Sequence, residues 1–221
     1  MTTSFVGATS AEATSLTLPT HQAGDLIVIM AAAGNINNIA IPSGWTVLLT
    51  RQASASLAGV TAFKIANSSA ETSGAWTNAV LLMAGVWRHS TNVLIVNAVN
   101  ETAANPTTTV NFPALAISGA GATIMTTQNW VGAFALSADN TNDFETPPTG
   151  MTNRAVISGA SALELALHDT SGDVASWSST SRTASVSASY HTRMFSIEPT
   201  GYTKTAGGGF RPVNIRGGAD Q

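Results

Sequence analysis

The sequence predicts an all-β protein, on three observations. Roughly twelve short apolar or alternating segments succeed one another, with turn signals at the 8–12-residue spacing of strands joined into sheets. No stretch holds a helical pattern for more than a few turns: the Ala-rich run 114–122 is interrupted by Gly119 and Gly121, which disfavour helix. Residues 26–33, Leu-Ile-Val-Ile-Met-Ala-Ala-Ala, are apolar without a break. So short a run suits a strand covered on both faces, although periodicity alone leaves a buried helical segment open. The pattern is that of a sandwich, a barrel or a jelly roll.

In chain order, residues 4–6 and 15–18 read as two short strands around a polar turn. Gly24 and Asp25 start the 25–33 strand, and the Gly and Asn residues of 34–38 end it in a loop. Pro42-Ser43-Gly44 is a turn: proline presets its own φ, and Gly44 supplies a positive φ without steric cost. Strands 45–51 and 57–66 then form a hairpin-like pair. In the second, Val60, Ala62 and Lys64 alternate with Thr61, Phe63 and Ile65, which predicts one wetter and one drier face. After a polar connection at 67–77, strands follow at 80–88, 93–97, 107–112, 122–127, 130–137, 154–157, 163–168 and 185–197. Residues 139–148 are the longest strongly polar loop.

A weak internal repeat runs through this order. Pro42-Ser43-Gly44-Trp45-Thr46 recurs as Pro148-Thr149-Gly150-Met151-Thr152, an offset of 150 − 44 = 106. At that offset the apolar 27–33 faces 133–139, and 56–58 faces 162–164. Two similar β units, each burying a face against the other, would explain it; chance recurrence of a common turn is the alternative.

The 221 residues suffice for one large all-β domain with a sizeable core. They are 44% hydrophobic but only 10% charged, against roughly 25% in an ordinary soluble domain. Low charge with abundant small polar residues suggests surfaces that meet other protein surfaces. A formal net charge of −3 gives no argument for direct nucleic-acid or membrane binding. There is no cysteine, so disulfides and thiolate metal sites are excluded. The N-terminus lacks a signal-peptide pattern, and no apolar run approaches the roughly 20 residues of a membrane helix.

Chemistry is sparse. His21, His89, His168 and His191 are not at zinc-like spacing and read as surface or edge residues. No nucleophile elbow, phosphate loop or carboxylate pair appears. Catalytic residues, cofactor and metal are therefore expected to be none. Asp139, Thr141, Asp143 and Glu145 could wrap a hard cation, but Phe144 stands where a calcium loop needs glycine, and a solvated loop is expected. Of the five tryptophans, Trp45 and Trp130 lie at strand starts and read as core. Trp76 and Trp177 lie in Ser/Thr/Gly surroundings: either both are buried under loops, or both are exposed rings that stack on sugars.

The run Ala-Gly-Asp-Leu-Ile-Val at 23–28, Pro-Ser-Gly-Trp-Thr at 42–46 and Ala-Phe-Lys-Ile-Ala at 62–66 resembles phage and prophage virion proteins. Pro148 to Arg154 and the closing Phe195-Ser-Ile-Glu-Pro199 extend the resemblance over roughly 20–199. It implies a non-enzymatic structural component of a virion, assembled in the host cytoplasm. The first expectation is a capsid decoration or cement protein on the head surface; the alternative is a tail or fibre protein with a lectin-like role, binding a host glycan through Trp76 and Trp177. Expected partners are other virion proteins and copies of itself, with trimers suggested by the threefold positions of capsids.

The fold expected is an antiparallel β-sandwich of jelly-roll type over residues 1–199, followed by an extended C-terminal arm, 200–221. Gly207-Gly208-Gly209 and Gly217-Gly218 read as hinges. Between them, Phe210, Arg211, Val213, Ile215 and Arg216 form an apolar and basic peptide suited to a groove or sheet edge on a neighbouring subunit.

Overall fold

The computed structural model describes residues 3–34, 38–53, 57–89, 93–94, 97–117, 129–141, 143–159, 161–172, 174–199, 202–204 and 210–212. It is all-β, with a single short 3₁₀ turn at Asp143–Glu145 among those residues. The first sheet holds β1 (Ser4–Ala11), β2 (Leu26–Ala33), β3 (Thr46–Ala53), β4 (Ala58–Ile65) and β5 (Leu81–Arg88), in the spatial order β1-β5-β2-β4-β3. The second is built on β8 (Trp130–Ser137), β9 (Thr152–Gly159), β10 (Leu163–Asp169) and β11 (Thr180–Pro199), ordered β11-β8-β10-β9. The long β7 (Ala98–Phe112) and the short β6 (Val93–Leu94) flank the outer side of β11.

All pairings are antiparallel, yet the order makes most consecutive strands of the first sheet run parallel, the β3–β4 pair excepted. β1 and β2 both oppose β5, and β2 and β3 both oppose β4. The connections β1 to β2, β2 to β3 and β4 to β5 therefore cross a sheet face, as connections between parallel strands must. Leu18 on the first crossover, Ile39 and Trp45 on the second, and Ala66, Trp76 and Ala79 on the third pack over Ile27, Ile29, Ala31, Val60, Ala62, Leu82, Ala84 and Val86. The second sheet is covered in the same way. Leu115 and Ile117, Phe144 and Met151, and Trp177 come from its three crossovers and lie over Val131, Ala133, Ala135, Ala166 and Met194.

Between the sheets lies the central layer: Leu26, Val28, Met30, Leu81, Met83 and Trp87 against Trp130, Phe134, Leu136, Leu163, Leu165, Leu167, Phe195 and Ile197. Both sheets are thus apolar on both faces. This is why every residue of β2 is fully buried and the run 26–33 shows no alternation. The expected wetter face of the 57–66 strand does not exist over its first half, where Val60, Thr61 and Ala62 are all buried beneath crossovers or the opposite sheet.

The two sheets repeat one topology, but the expected alignment is corrected within it: 27–33 corresponds to 131–137 and not to 133–139, whereas Gly44 and Ala58 do correspond to Gly150 and Glu164. β5-β2-β4-β3 and β11-β8-β10-β9 have the same order and pairing, and β1 and β7 occupy equivalent places beside β5 and β11. Leu26 opposes Trp87 as Trp130 opposes Ile197. Gly44 and Gly150 both have positive φ, +82° and +90°, and the second turn is closed by the Met151 N–H donating to the Pro148 carbonyl at 3.0 Å. β1 packs on β9 and β3 on β7, contacts that exchange when the halves are swapped.

Several expectations need correction. The connectivity is not that of a jelly roll: the first five strands share one sheet, whereas a jelly roll interleaves its strands between two sheets. Residues 15–18 are crossover rather than strand, because Leu18 serves as a lid over the sheet. β7 runs from Ala98, well before the expected 107, because β11 is long enough to pair with all of it. The expected strand 122–127 lies outside the described residues. In the tail, β12 (Tyr202–Lys204) pairs antiparallel with β13 (Phe210–Pro212), with Lys204 opposite Phe210 and Thr203 opposite Arg211. Val213, Ile215 and Arg216 lie outside the described residues.

Candidate functional site

Trp76 and Trp177 hold equivalent places. Each sits on the crossover leading into the last strand of its sheet, and each joins the segment that follows the sheet's outer strand. The Trp76 N–H donates to the Thr14 carbonyl at 2.7 Å, and Trp177 exchanges two backbone bonds with Leu115. Trp76 is wholly buried, edge-on to Trp45 at 5.6 Å, with its indole N–H donating to the Ser73 carbonyl. Trp177 is 9% exposed beneath the same kind of lid. Neither ring offers a face to a sugar, so the stacking pair is corrected to a pair of anchors: a crossover with no helix needs a large side chain to cover a sheet.

The histidines are corrected too, since all four are buried. His21 is held in its loop by the Pro19 carbonyl at Nδ1, 2.7 Å, and by the Glu71 N–H donating to Nε2, 3.1 Å. His168 lies on the outer face of the second sheet, edge-on to Phe112, with neither ring nitrogen hydrogen-bonded. Burial, with Arg182 nearby, drives its pKa down to about 3. His191 shares the inter-sheet face with Arg193, Phe195 and Ile197. Its ring nitrogens are likewise unpartnered, and burial, with the Arg193 charge, lowers its pKa to about 4.

The acidic loop is a structural clip. The Asp143 carboxylate accepts the Ser185 N–H at 2.9 Å and the Val186 N–H at 3.2 Å, which hold its pKa below the usual range against the opposing effect of burial. Phe144 is 1% exposed and its N–H donates to Glu164 Oε1 at 2.8 Å. Glu164 is fully buried on β10, and desolvation raises its pKa to about 7. Arg182 spans the clip: Nη1 donates to the Thr146 carbonyl at 2.7 Å, and its guanidinium lies 5.5 Å from the Phe144 ring centre. Among the described residues no group of three His, Asp or Glu is placed to hold a metal.

Between the sheets the charges are also committed. Asp169 accepts from Arg154 Nε at 2.9 Å and from the Trp87 indole at 3.1 Å, while the Arg154 guanidinium stacks 4.5 Å from Phe5. On the outer face of the first sheet, the side of Ile27 and Val86, Asp25 takes two bonds from Arg88, at 2.7 and 2.6 Å. Arg193 is fully buried and has no carboxylate among its hydrogen-bond partners; it donates to the carbonyls of Leu49, Thr50 and Gly59, at 3.1, 3.3 and 2.5 Å. The register irregularity of β3 at Leu49–Gln52 frees carbonyls that would otherwise serve the ladder. Burial brings the Arg193 pKa down to about 10.

Among the described residues, one surface depression is lined by Leu16–His21 with Ser69, Glu71 and Thr72, and another by Glu101, Asn111–Pro113 and Ser179–Ser181. Both are rimmed by hydroxyls. In the first, Glu71 is tied to Lys64 at 2.8 Å; in the second, Glu101 is tied to Asn111 at 2.7 Å. Arg154, Arg182 and Arg193 carried no site expectation from the sequence, and Glu164 only that it forms no evident carboxylate pair with Glu145. The available signal was a polar residue inside an otherwise apolar strand, as Glu164 and His168 are among Leu163, Leu165 and Leu167. No protein-family model matches the chain, and neither the curated proteins nor the solved structures compared with it yield a match.

Proposed function

We propose that the chain is a non-enzymatic structural component of a bacteriophage virion, and within the particle a capsid decoration or cement protein on the head surface, assembled in the host cytoplasm. The observation that carries this reading is how the buried ionisable groups are spent. Asp25, Asp143, Glu164 and Asp169 each hold a backbone N–H, an arginine or an indole in place. With both faces of both sheets covered, what is left for function is loops, edges and the tail. A rigid slab of low charge, meeting other subunits through its periphery, suits a protein that reinforces a shell. The motif resemblance at 23–28, 42–46 and 62–66 points the same way.

In this reading the sandwich assembles as a homo-oligomer, a trimer at capsid threefold positions. The tail, with Phe210, Arg211, Val213, Ile215 and Arg216, contacts a neighbouring capsid subunit. A lectin-like tail or fibre role would need a surface other than Trp76 and Trp177. The test is to purify virions whose genome encodes the chain, separate heads from tails and probe both with an antibody. Signal on heads, lost together with thermal resistance of the capsid when the gene is deleted, is the expected result. Signal confined to tails, or absence from particles, overturns the proposal.

A further inference from the structure

The clip at residues 138–151 is fastened from both sides by carboxylates that accept backbone N–H groups. It closes over the outer face of the second sheet, with Phe144 as its plug. One fastening is Glu164, reaching up from β10 to the Phe144 N–H; the other is Asp143, reaching across to the Ser185 and Val186 N–H groups of β11. The Glu164 Oε1 atom is engaged, whereas Oε2 is buried with no hydrogen-bond partner. A protonated acid keeps the Phe144 bond through its carbonyl oxygen and carries no charge into the apolar layer. An ionised one places a charge there that the Phe144 and Asp143 N–H groups and Arg182 offset only in part, and opening the clip to water would relieve the remaining desolvation cost.

We propose that the 138–151 segment is an ionisation-sensitive lid on the second sheet, closed while Glu164 is protonated and released as Glu164 ionises. The groups facing Glu164 are consistent with this. The lid brings Asp143, whose negative charge opposes ionisation, and β11 brings Arg182, which favours it. Along β10 the nearest titratable group on the same face is His168, uncharged at neutral pH. Across the sheet β8 and β9 oppose Glu164 with Ser137 and Ser158, and beyond β8 lies Tyr190 of β11. Tyr190 is itself held neutral by burial, with Glu101 of β7 nearby. Arg182 is the one positive charge in this set, and it is shared with Asp143 and the Thr146 carbonyl.

The sign follows from the raised pKa, about 7 in the closed state against 4.5 for the free group. The stability of the closed lid is complete below the ordinary carboxyl value and is lost as pH rises through about 7. Opening uncovers the part of the apolar outer face that Phe144 and Met151 cover.

The test is hydrogen exchange read by mass spectrometry on the full chain between pH 6 and pH 9, corrected for the intrinsic pH dependence of exchange. Protection of a peptide covering 139–151 should fall at least tenfold across that range, while a peptide covering 38–46, on the equivalent crossover of the first sheet, stays constant. ANS fluorescence should rise in parallel. E164Q, neutral at every pH, should abolish both changes. Constant protection of 139–151 in the wild-type protein overturns the proposal whatever the variant does, and so does an equal fall in E164Q.

Discussion

At several interior positions where the first sheet carries apolar side chains the second carries ionisable ones, although the two are built on the same strand order. Matching Leu26 to Trp130 brings corresponding positions together through the strand registers. Glu164 then falls where the first sheet has Ala58, His168 where it has Ala62, Asp169 where it has Phe63, His191 where it has Leu81 and Arg193 where it has Met83. One topology therefore accepts two kinds of interior. The difference teaches that strand order is set by crossovers and glycine turns, while the residues between carry other information. Covering both sheet faces without helices leaves each half with a lid of loops, and the fastening of that lid is free to vary.

Removing the largest polar intrusion should separate the halves most. Arg193→Ala leaves the carbonyls of Leu49, Thr50 and Gly59 without their donor and opens a void between the sheets. A loss of about 3 kcal/mol or more is expected in urea unfolding. Met83→Ala, at the equivalent place, should cost about 2 kcal/mol, the lower end for a buried methionine. Equal losses would mean that the arginine does no more than fill space.

Glycine sharpens the comparison next. Val28 pairs with Gly85 in the first sheet and Gly132 with Phe195 in the second. Each glycine leaves room for an aromatic ring, Trp87 over Gly85 and Phe195 over Gly132, and a Cβ at either would overlap that ring. Gly132→Ala and Gly85→Ala should each destabilise by about 1–3 kcal/mol, and Phe195→Leu should partly rescue the former alone. A fully stable Gly132→Ala protein would refute the close approach.

The third contrast is acid sensitivity. His168 and His191 have depressed pKa values, about 3 and about 4. Their contribution is present above the ordinary histidine value of 6.5 and is lost as pH falls towards those values. His191→Leu installs the residue of the first sheet, and at pH 5 it should gain about 2 kcal/mol relative to its effect at pH 7.5. A gain independent of pH would place the effect in packing. The smallest effect is expected at the turns: Gly44→Val should cost about 1–2 kcal/mol through its φ of +82° alone, since a side chain there meets open space. Ser43→Ala should lie within about 0.5 kcal/mol of the wild type. Equal melting temperatures for the two would remove the turn assignment.

Some of this was legible in the residues. Strands 26–33, 46–53, 58–65, 81–88, 130–137 and 163–169 were all anticipated within a residue or two, because each holds an apolar or alternating stretch between turn-forming or small polar residues. The Pro-x-Gly repeat was visible because a positive φ admits few residues besides glycine, so the turn leaves a local trace. The roles of Trp76 and Trp177 were not legible. Their neighbours in sequence are Ser, Thr and Gly, and the apolar surfaces they cover lie on other strands. Nor was the jelly-roll expectation correctable from periodicity, which reports which faces of a strand are dry and not which strand lies beside it.

What the sequence by itself determined is local: where chain extends, where it turns and which strands have no wet face. Those follow from side-chain size, branching and the φ of single residues, all properties of neighbours along the chain. What only the tertiary structure decided is pairing. It set the order β1-β5-β2-β4-β3 and its repetition, the lids that consequently cross each sheet, and the burial of His168, Glu164 and Arg193. The physical reason is range. A crossover brings together residues tens of positions apart, as Arg193 and Gly59 are, and the free energy of burying a charge depends on those distant partners rather than on the residues beside it.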